Sequence, residues 1–172
     1  NSMPVRYIGL MPRREDINHQ ANRGTSGIDG CTSTAVGYAK ATEKPVFLIT
    51  GDLAFLYDIN GLWLDEIPPN LKIVVLNNHG GGIFELIEGP NTHQDSLAFQ
   101  TTDHNLNMNH MAKHFGIDYL NASSFSEVQK CLDAFLSTTK PVILEVQTQR
   151  SVNNAFFETY KKGLQLVTHD NK

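Results

Sequence analysis

Val46-Phe47-Leu48-Ile49-Thr50 runs into Gly51-Asp52, and Ile73-Val74-Val75-Leu76 runs into Asn77-Asn78-His79-Gly80-Gly81-Gly82. Each is a short apolar run that ends abruptly in polar or glycine residues, which is how strands buried inside an α/β protein read. The carboxyl tips of neighbouring parallel strands are where such folds bind ligands. A carboxylate, a carboxamide oxygen and a glycine carbonyl make a hard oxygen site suited to Mg²⁺, normally completed by water and substrate phosphate oxygens. The two tips together therefore point to a metal held against a phosphorylated ligand.

Outward from these strands, helical and extended patterns alternate. Residues 17–21 read as a short strand leading into the polar, glycine-rich stretch Asn22-Arg23-Gly24-Thr25-Ser26-Gly27-Ile28-Asp29-Gly30, and small residues over 32–41 suit a helix packed closely on a sheet. Leu53, Leu56, Ile59, Leu62 and Trp63 recur near helical spacing and predict one helix over 53–67, ended by Pro68-Pro69. A short helical stretch is expected at 83–87. Residues 89–105 lack a period and read as a long surface loop, a type that is usually functional or mobile. A helix from about 106 to 115, a strand at 119–120, a helix over 126–136 begun by a capping Ser126, a strand at 142–146 and a closing helix over 153–166 complete the pattern. Strands alternating with helices predict an α/β doubly wound parallel sheet flanked by helices. The first ten residues show no starting element.

With 172 residues, 40% hydrophobic and 19% charged, the chain is long enough for one globular domain with a substantial core. Asn1 is no initiator, so residues 1–172 are expected to be a piece of a longer polypeptide. A net charge of −4 without a Lys/Arg cluster argues against nucleic acid as a partner. No apolar run approaches the roughly 18 residues of a membrane span, and no secretory signal is visible, so a cytoplasmic location is expected. Cys31 and Cys131, far apart and without a second pair, suit reduced thiols.

Each candidate residue has a plainer reading. Asp52 alone would be an N-cap, Asn78 alone a turn residue, and three glycines alone a flexible turn; their coincidence at two tips favours a site. Glycines let backbone amides approach phosphate oxygens closely. Ile83-Phe84 follows Gly82 where a nucleotide P-loop needs Lys-Ser/Thr, and there is no dinucleotide fingerprint. His110 and His114 stand four apart on an expected helix, but Met111 occupies the position where a zinc protease needs Glu. Glu85, Glu88 and Asp95 read as solvated surface, and Phe55, Phe84, Phe156 and Phe157 as core or interface.

Gly51-Asp52, some 25 residues, then Asn77-Asn78 resembles the signature of thiamine diphosphate enzymes, with Leu53 where that signature usually has Gly. Gly51 to Leu62, Asn22 to Gly30, Asn77 to Phe84 and the leading Asn1 to Arg6 together resemble the 2-succinyl-5-enolpyruvyl-6-hydroxy-3-cyclohexene-1-carboxylate synthases of menaquinone biosynthesis. The likeness covers nearly this whole chain but only the carboxyl-terminal third of such enzymes, their diphosphate-binding domain.

The resemblance implies thiamine diphosphate and Mg²⁺ (or Mn²⁺) as cofactors, with Asp52, the Asn78 side-chain oxygen and the Gly80 carbonyl as metal ligands. Gly51, Leu53, Ala54, Gly81, Gly82 and Ile83 would line the cofactor, and Ile28 would prop it in its bent form. Arg23 would meet isochorismate, and Ser2 and Arg6 would meet 2-oxoglutarate. The implied reaction is a transferase reaction, joining these two substrates with loss of CO₂. The glutamate that activates the cofactor in this family belongs to an amino-terminal domain of a second subunit, so a homodimer or homotetramer is implied and this chain alone would be half an active site. Like charges 4 Å apart repel by roughly 4 kcal/mol at an effective dielectric near 20, so two dianionic substrates beside a diphosphate need such cations. The rivals are another thiamine diphosphate-dependent 2-oxoacid decarboxylase or carboligase, and a non-catalytic binding module of the flavodoxin-like kind.

Overall fold

A computed structural model describes residues 3–22, 27–87, 89–92 and 94–169. Four strands, β1 (Val46–Gly51), β2 (Leu71–Asn77), β3 (Asp118–Ala122) and β4 (Val142–Gln147), form one parallel sheet in the order β1-β2-β4-β3. Among the described residues seven α-helices accompany them: α1 (Met3–Ile8), α2 (Cys31–Lys40), α3 (Asp52–Tyr57), α4 (Gln94–Thr101), α5 (Asn109–His114), α6 (Phe125–Ser137) and α7 (Arg150–His169). Val36 and Ala39 of α2, Phe55 of α3 and Ala112 of α5 pack on Leu71, Ile73, Val75 and Ile143, covering one face of the sheet. Phe135, Val128 and Cys131 of α6 cover Val142, Leu144 and Ala122 on the other face. Helices on both faces make the doubly wound arrangement expected, and explain why β2 and β4 are apolar on both sides.

The one charge in β2 is accommodated rather than exposed. Lys72 is buried, and its ammonium donates to the carbonyls of Phe135 (2.8 Å), Leu136 (3.1 Å) and Thr138 (2.8 Å). These carbonyls lie at the carboxyl end of α6, where helical partners run out and the dipole favours a cation. Burial holds the Lys72 amine below its ordinary pKa. The opposite end of α6 is capped by Ser124, which accepts from the Glu127 amide, while the Glu127 carboxylate accepts from Ser123. The cap is thus two residues earlier than the expected Ser126.

Other boundaries also differ from expectation. Residues 17–21 form no strand, because polar neighbours leave Ile17 exposed and side chains hold the segment to α2 instead, through Asn18 to Tyr38 and Asn22 to the Gly30 carbonyl. The single helix expected over 53–67 stops at Tyr57 and resumes as a 3-10 turn, Ile59–Leu62. Asp58 faces inward at the break and accepts from the Ser33 amide (2.7 Å) and hydroxyl, capping α2 from outside. Gly61 permits that approach, since a Cβ there would lie 2.8 Å from the Ser33 backbone. Leu62 is buried, but Trp63, expected on the same face, is 74% exposed. The expected loop over 89–105 contains α4, whose sequence lacks an apolar stripe, and the first ten residues contain α1. Both cysteines are free thiols.

Candidate active site

The carboxyl ends of β1, β2 and β4 open into one cavity of about 710 Å³, lined by Gly51, Asp52, Leu76, Asn78 and Thr148 from the strand tips. Leu53 and Ala54, the first turn of α3, form one wall, and Gly80, Gly81, Gly82 and Ile83 another. Ile28, Arg6 and the apolar side chains of Met3, Phe84 and Phe156 complete it. Thus every described residue that the resemblance assigns to the cofactor, metal or substrates lines the same space, whereas His110 and His114 do not; Ser2 and Arg23 lie outside the described residues.

The link between the two tips is direct. Asp52 is 2% exposed; its Oδ1 accepts from the Leu53 amide at 2.8 Å, and its Oδ2 accepts from the Gly80 amide at 2.9 Å. A carboxylate offers about four lone-pair sites, so these bonds fix the side chain and leave acceptor capacity toward the cavity. Asn77, fully buried, holds the base of the second tip: its amide nitrogen donates to Glu145 Oε1 and the Leu106 carbonyl, and its oxygen accepts from the His79 amide. Glu145, also fully buried, accepts in addition from the Met108 amide (2.8 Å) and the Tyr119 hydroxyl (2.6 Å). Desolvation and the adjoining carboxylate push the Tyr119 hydroxyl well above its ordinary pKa. Of the adjacent asparagines, Asn77 is therefore structural and Asn78 faces the cavity.

The glycine loop is shaped by necessity. Gly80 has φ +146°, and a Cβ there would sit 2.6 Å from the Thr101 carbonyl; a Cβ on Gly81 or Gly82 would meet Phe84 at 2.8 Å or the Asn78 amide nitrogen at 2.7 Å. The Gly80 carbonyl accepts from the Gly82 amide at 3.1 Å, which leaves one of its two lone pairs. A carboxylate, a carboxamide and a carbonyl with remaining acceptor capacity, beside a backbone stripped of side chains, fit a hard divalent cation carrying phosphate oxygens.

The sequence reading missed the second layer. The segment after α4 folds back over the glycine loop, with the Gly81 amide donating to the Thr101 carbonyl (2.7 Å) and the His104 amide to the His79 carbonyl (3.4 Å). His104 Nε2 lies 3.2 Å from Asp52 Oδ2. Arg150, at the start of α7, pairs with Asp103 at 2.6 Å and approaches Glu85 at 3.5 Å, while Asn154 donates to Glu85. Glu85 is therefore part of a cavity-side network and not solvated surface; Glu88 lies outside the described residues. The Arg150 guanidinium holds the Asp103 carboxyl below the usual carboxylate range.

Residues 3–146 match the family described as thiamine pyrophosphate enzyme, C-terminal TPP binding domain. The chain is 42% identical over 161 residues to the 2-succinyl-5-enolpyruvyl-6-hydroxy-3-cyclohexene-1-carboxylate synthase of Christiangramia forsetii, covering 93% of this chain and 28% of that protein. It is 43% identical over 167 residues to the synthase of the same name from Flavobacterium psychrophilum, covering 95% of this chain and 30% of the relative. For the Cytophaga hutchinsonii synthase the figures are 41% over 169 residues, 96% and 30%. The chain thus spans under a third of the length of these relatives. Taken with a cavity built from Asp52, Asn78 and three glycines at the sheet's carboxyl edge, the match places this chain in the family of C-terminal TPP-binding domains of thiamine pyrophosphate enzymes.

Proposed function

We propose that the chain is the diphosphate-binding domain, residues 1–172, of a longer 2-succinyl-5-enolpyruvyl-6-hydroxy-3-cyclohexene-1-carboxylate synthase. It works there with the amino-terminal domain of a second subunit, in a homodimer or homotetramer, to join 2-oxoglutarate to isochorismate with loss of CO₂. The observation that carries this reading is the convergence of Arg6, Ile28, Asp52, Asn78 and the glycine loop on one cavity, in a chain 41–43% identical to synthases of that name.

In this reading Asp52, the Asn78 carboxamide oxygen and the Gly80 carbonyl hold Mg²⁺ or Mn²⁺. Bound thiamine diphosphate supplies the carbanion stabilisation that decarboxylation requires. The chain's own residues supply position and charge. Gly81 and Gly82 would admit the diphosphate against the backbone, Leu53, Ala54 and Ile83 would exclude water along the cofactor, and Ile28 would prop it. Arg6, which lines the cavity, and Ser2 receive the 2-oxoglutarate carboxylates, and Arg23 receives isochorismate. A guanidinium matches a carboxylate with two parallel hydrogen bonds, which orients it as well as neutralising it.

The test is a substrate panel on the full natural polypeptide with thiamine diphosphate and Mg²⁺. Product should form from 2-oxoglutarate plus isochorismate and not from pyruvate plus isochorismate. Turnover of pyruvate alone, with 2-oxoglutarate inert, would assign the domain to a different carboligase of the same cofactor class.

A further inference from the structure

We infer that His104 is the positioning residue for Asp52, a buried imidazole that fixes the carboxylate in the orientation a divalent cation requires. This rests on the proposal that Asp52 is a metal ligand.

Thr102, with φ +47°, turns the chain at the end of α4 so that His104 comes back over the glycine loop. Two backbone bonds, Gly81 to Thr101 and His104 to His79, fix that return. The ring is then oriented from its other side, because Nδ1 accepts from the Leu106 amide at 3.1 Å. An Nδ1 that accepts leaves the proton of a neutral imidazole on Nε2. That nitrogen is buried, has no aligned hydrogen-bond partner, and lies 3.2 Å from Asp52 Oδ2. The His79 ring stands edge-on to it at a centroid distance of 5.8 Å.

A buried N–H without an aligned partner is costly, at about 1–3 kcal/mol, and the Asp52 carboxylate oxygen 3.2 Å away is an acceptor within its reach. With the Gly80 amide already on Oδ2 and the Leu53 amide on Oδ1, His104 Nε2 is the third nitrogen beside the Asp52 carboxylate, and Asp52 itself lines the cavity. Outer donors of this kind hold ligands in place at metal sites generally, and their loss typically costs 10–100-fold in metal affinity.

The experiment measures Mn²⁺ binding by electron paramagnetic resonance, in the presence of thiamine diphosphate, on the full natural polypeptide and its variants. His104→Leu should weaken Mn²⁺ binding by roughly 10–100-fold. His104→Gln, whose Nε2 donates from about the same reach as the imidazole, should recover most of that loss. If the leucine variant fails to fold, His104→Met keeps the length without the donor and takes its place. Equal affinity in all variants overturns the inference, as does equal loss in the glutamine and apolar variants, which would mark packing as the cause. A wild-type protein that binds no Mn²⁺ under these conditions overturns the cofactor reading itself and this inference with it.

Discussion

The Gly80 amide donates to Asp52 Oδ2 at 2.9 Å, joining residues 28 positions apart at the tips of two neighbouring strands. The bond depends on a backbone that only glycine adopts freely, since φ at Gly80 is +146°. It also depends on clearance, because a Cβ would lie 2.6 Å from the Thr101 carbonyl and 3.0 Å from Arg150 Nη1. Gly80→Ala is expected to destabilise the domain by about 1–3 kcal/mol through backbone strain alone. It should also abolish metal-linked cofactor binding, because the loop and Asp52 no longer hold each other. Urea denaturation and titration calorimetry of the same variant check both effects; wild-type values in both would show the loop to be an adaptable turn.

Tyr119 and Glu145 set an alkaline limit on stability. The buried Glu145 carboxylate accepts the Tyr119 hydroxyl at 2.6 Å, and burial, with that carboxylate, raises the Tyr119 pKa above its ordinary value near 10. An unfolded chain therefore loses the Tyr119 proton at a lower pH than the folded one. The stabilisation is complete below pH 10 and declines as pH rises from there toward the folded value. Tyr119→Phe should cost about 1.5–3 kcal/mol at pH 8, as expected for a hydrogen bond to a charged group. The gap between wild type and variant in urea denaturation should shrink at pH 11; a gap independent of pH would contradict the assignment.

Lys72 is expected to act as a cap for α6 rather than as a surface charge in a strand. Its three carbonyl partners lose their donor together in Lys72→Met, and the Phe135 ring loses the ammonium above it, while the apolar stem is largely kept. A loss of about 1–3 kcal/mol is expected. Hydrogen exchange should accelerate at the last turn of α6, for example at the Thr138 amide, which donates to Ala134. Unchanged exchange there, with unchanged stability, would show that water replaces the ammonium at no cost.

What could be read from the sequence followed from features that are local along the chain. β1 and β2 announce themselves as apolar runs, and Asp52, Asn78 and the glycines stand directly at their ends, so one pattern gives both the sheet and the site. The supporting layer is set by tertiary contacts and left no such trace. His104 reaches Asp52 only because Thr102 takes a left-handed turn and two backbone bonds fold the segment over the loop. Arg150 meets Asp103 across 47 residues, a pairing no spacing rule anticipates. The break in the expected long helix at Asp58 has the same origin: a side chain recruited to cap another helix outweighs a continuous apolar period. Asn77 and Asn78 show the limit most sharply. As strand-end neighbours they are equivalent in sequence, and only Glu145, arriving on β4, turns one into a structural bond and leaves the other to the cavity.

The most direct measurement is calorimetric titration of thiamine diphosphate into the full natural polypeptide, with Mg²⁺, with a chelator in its place, and in Asp52→Ala with Mg²⁺. Removing either the cation or the carboxylate proposed to hold it should weaken uptake on the order of 100-fold or more, since each would leave the diphosphate charge without its counterweight. Saturable uptake that requires both Mg²⁺ and Asp52 is the expected result. Uptake unchanged by the chelator and by the substitution, or no uptake with Mg²⁺ present, would contradict a cation anchored at these two strand tips.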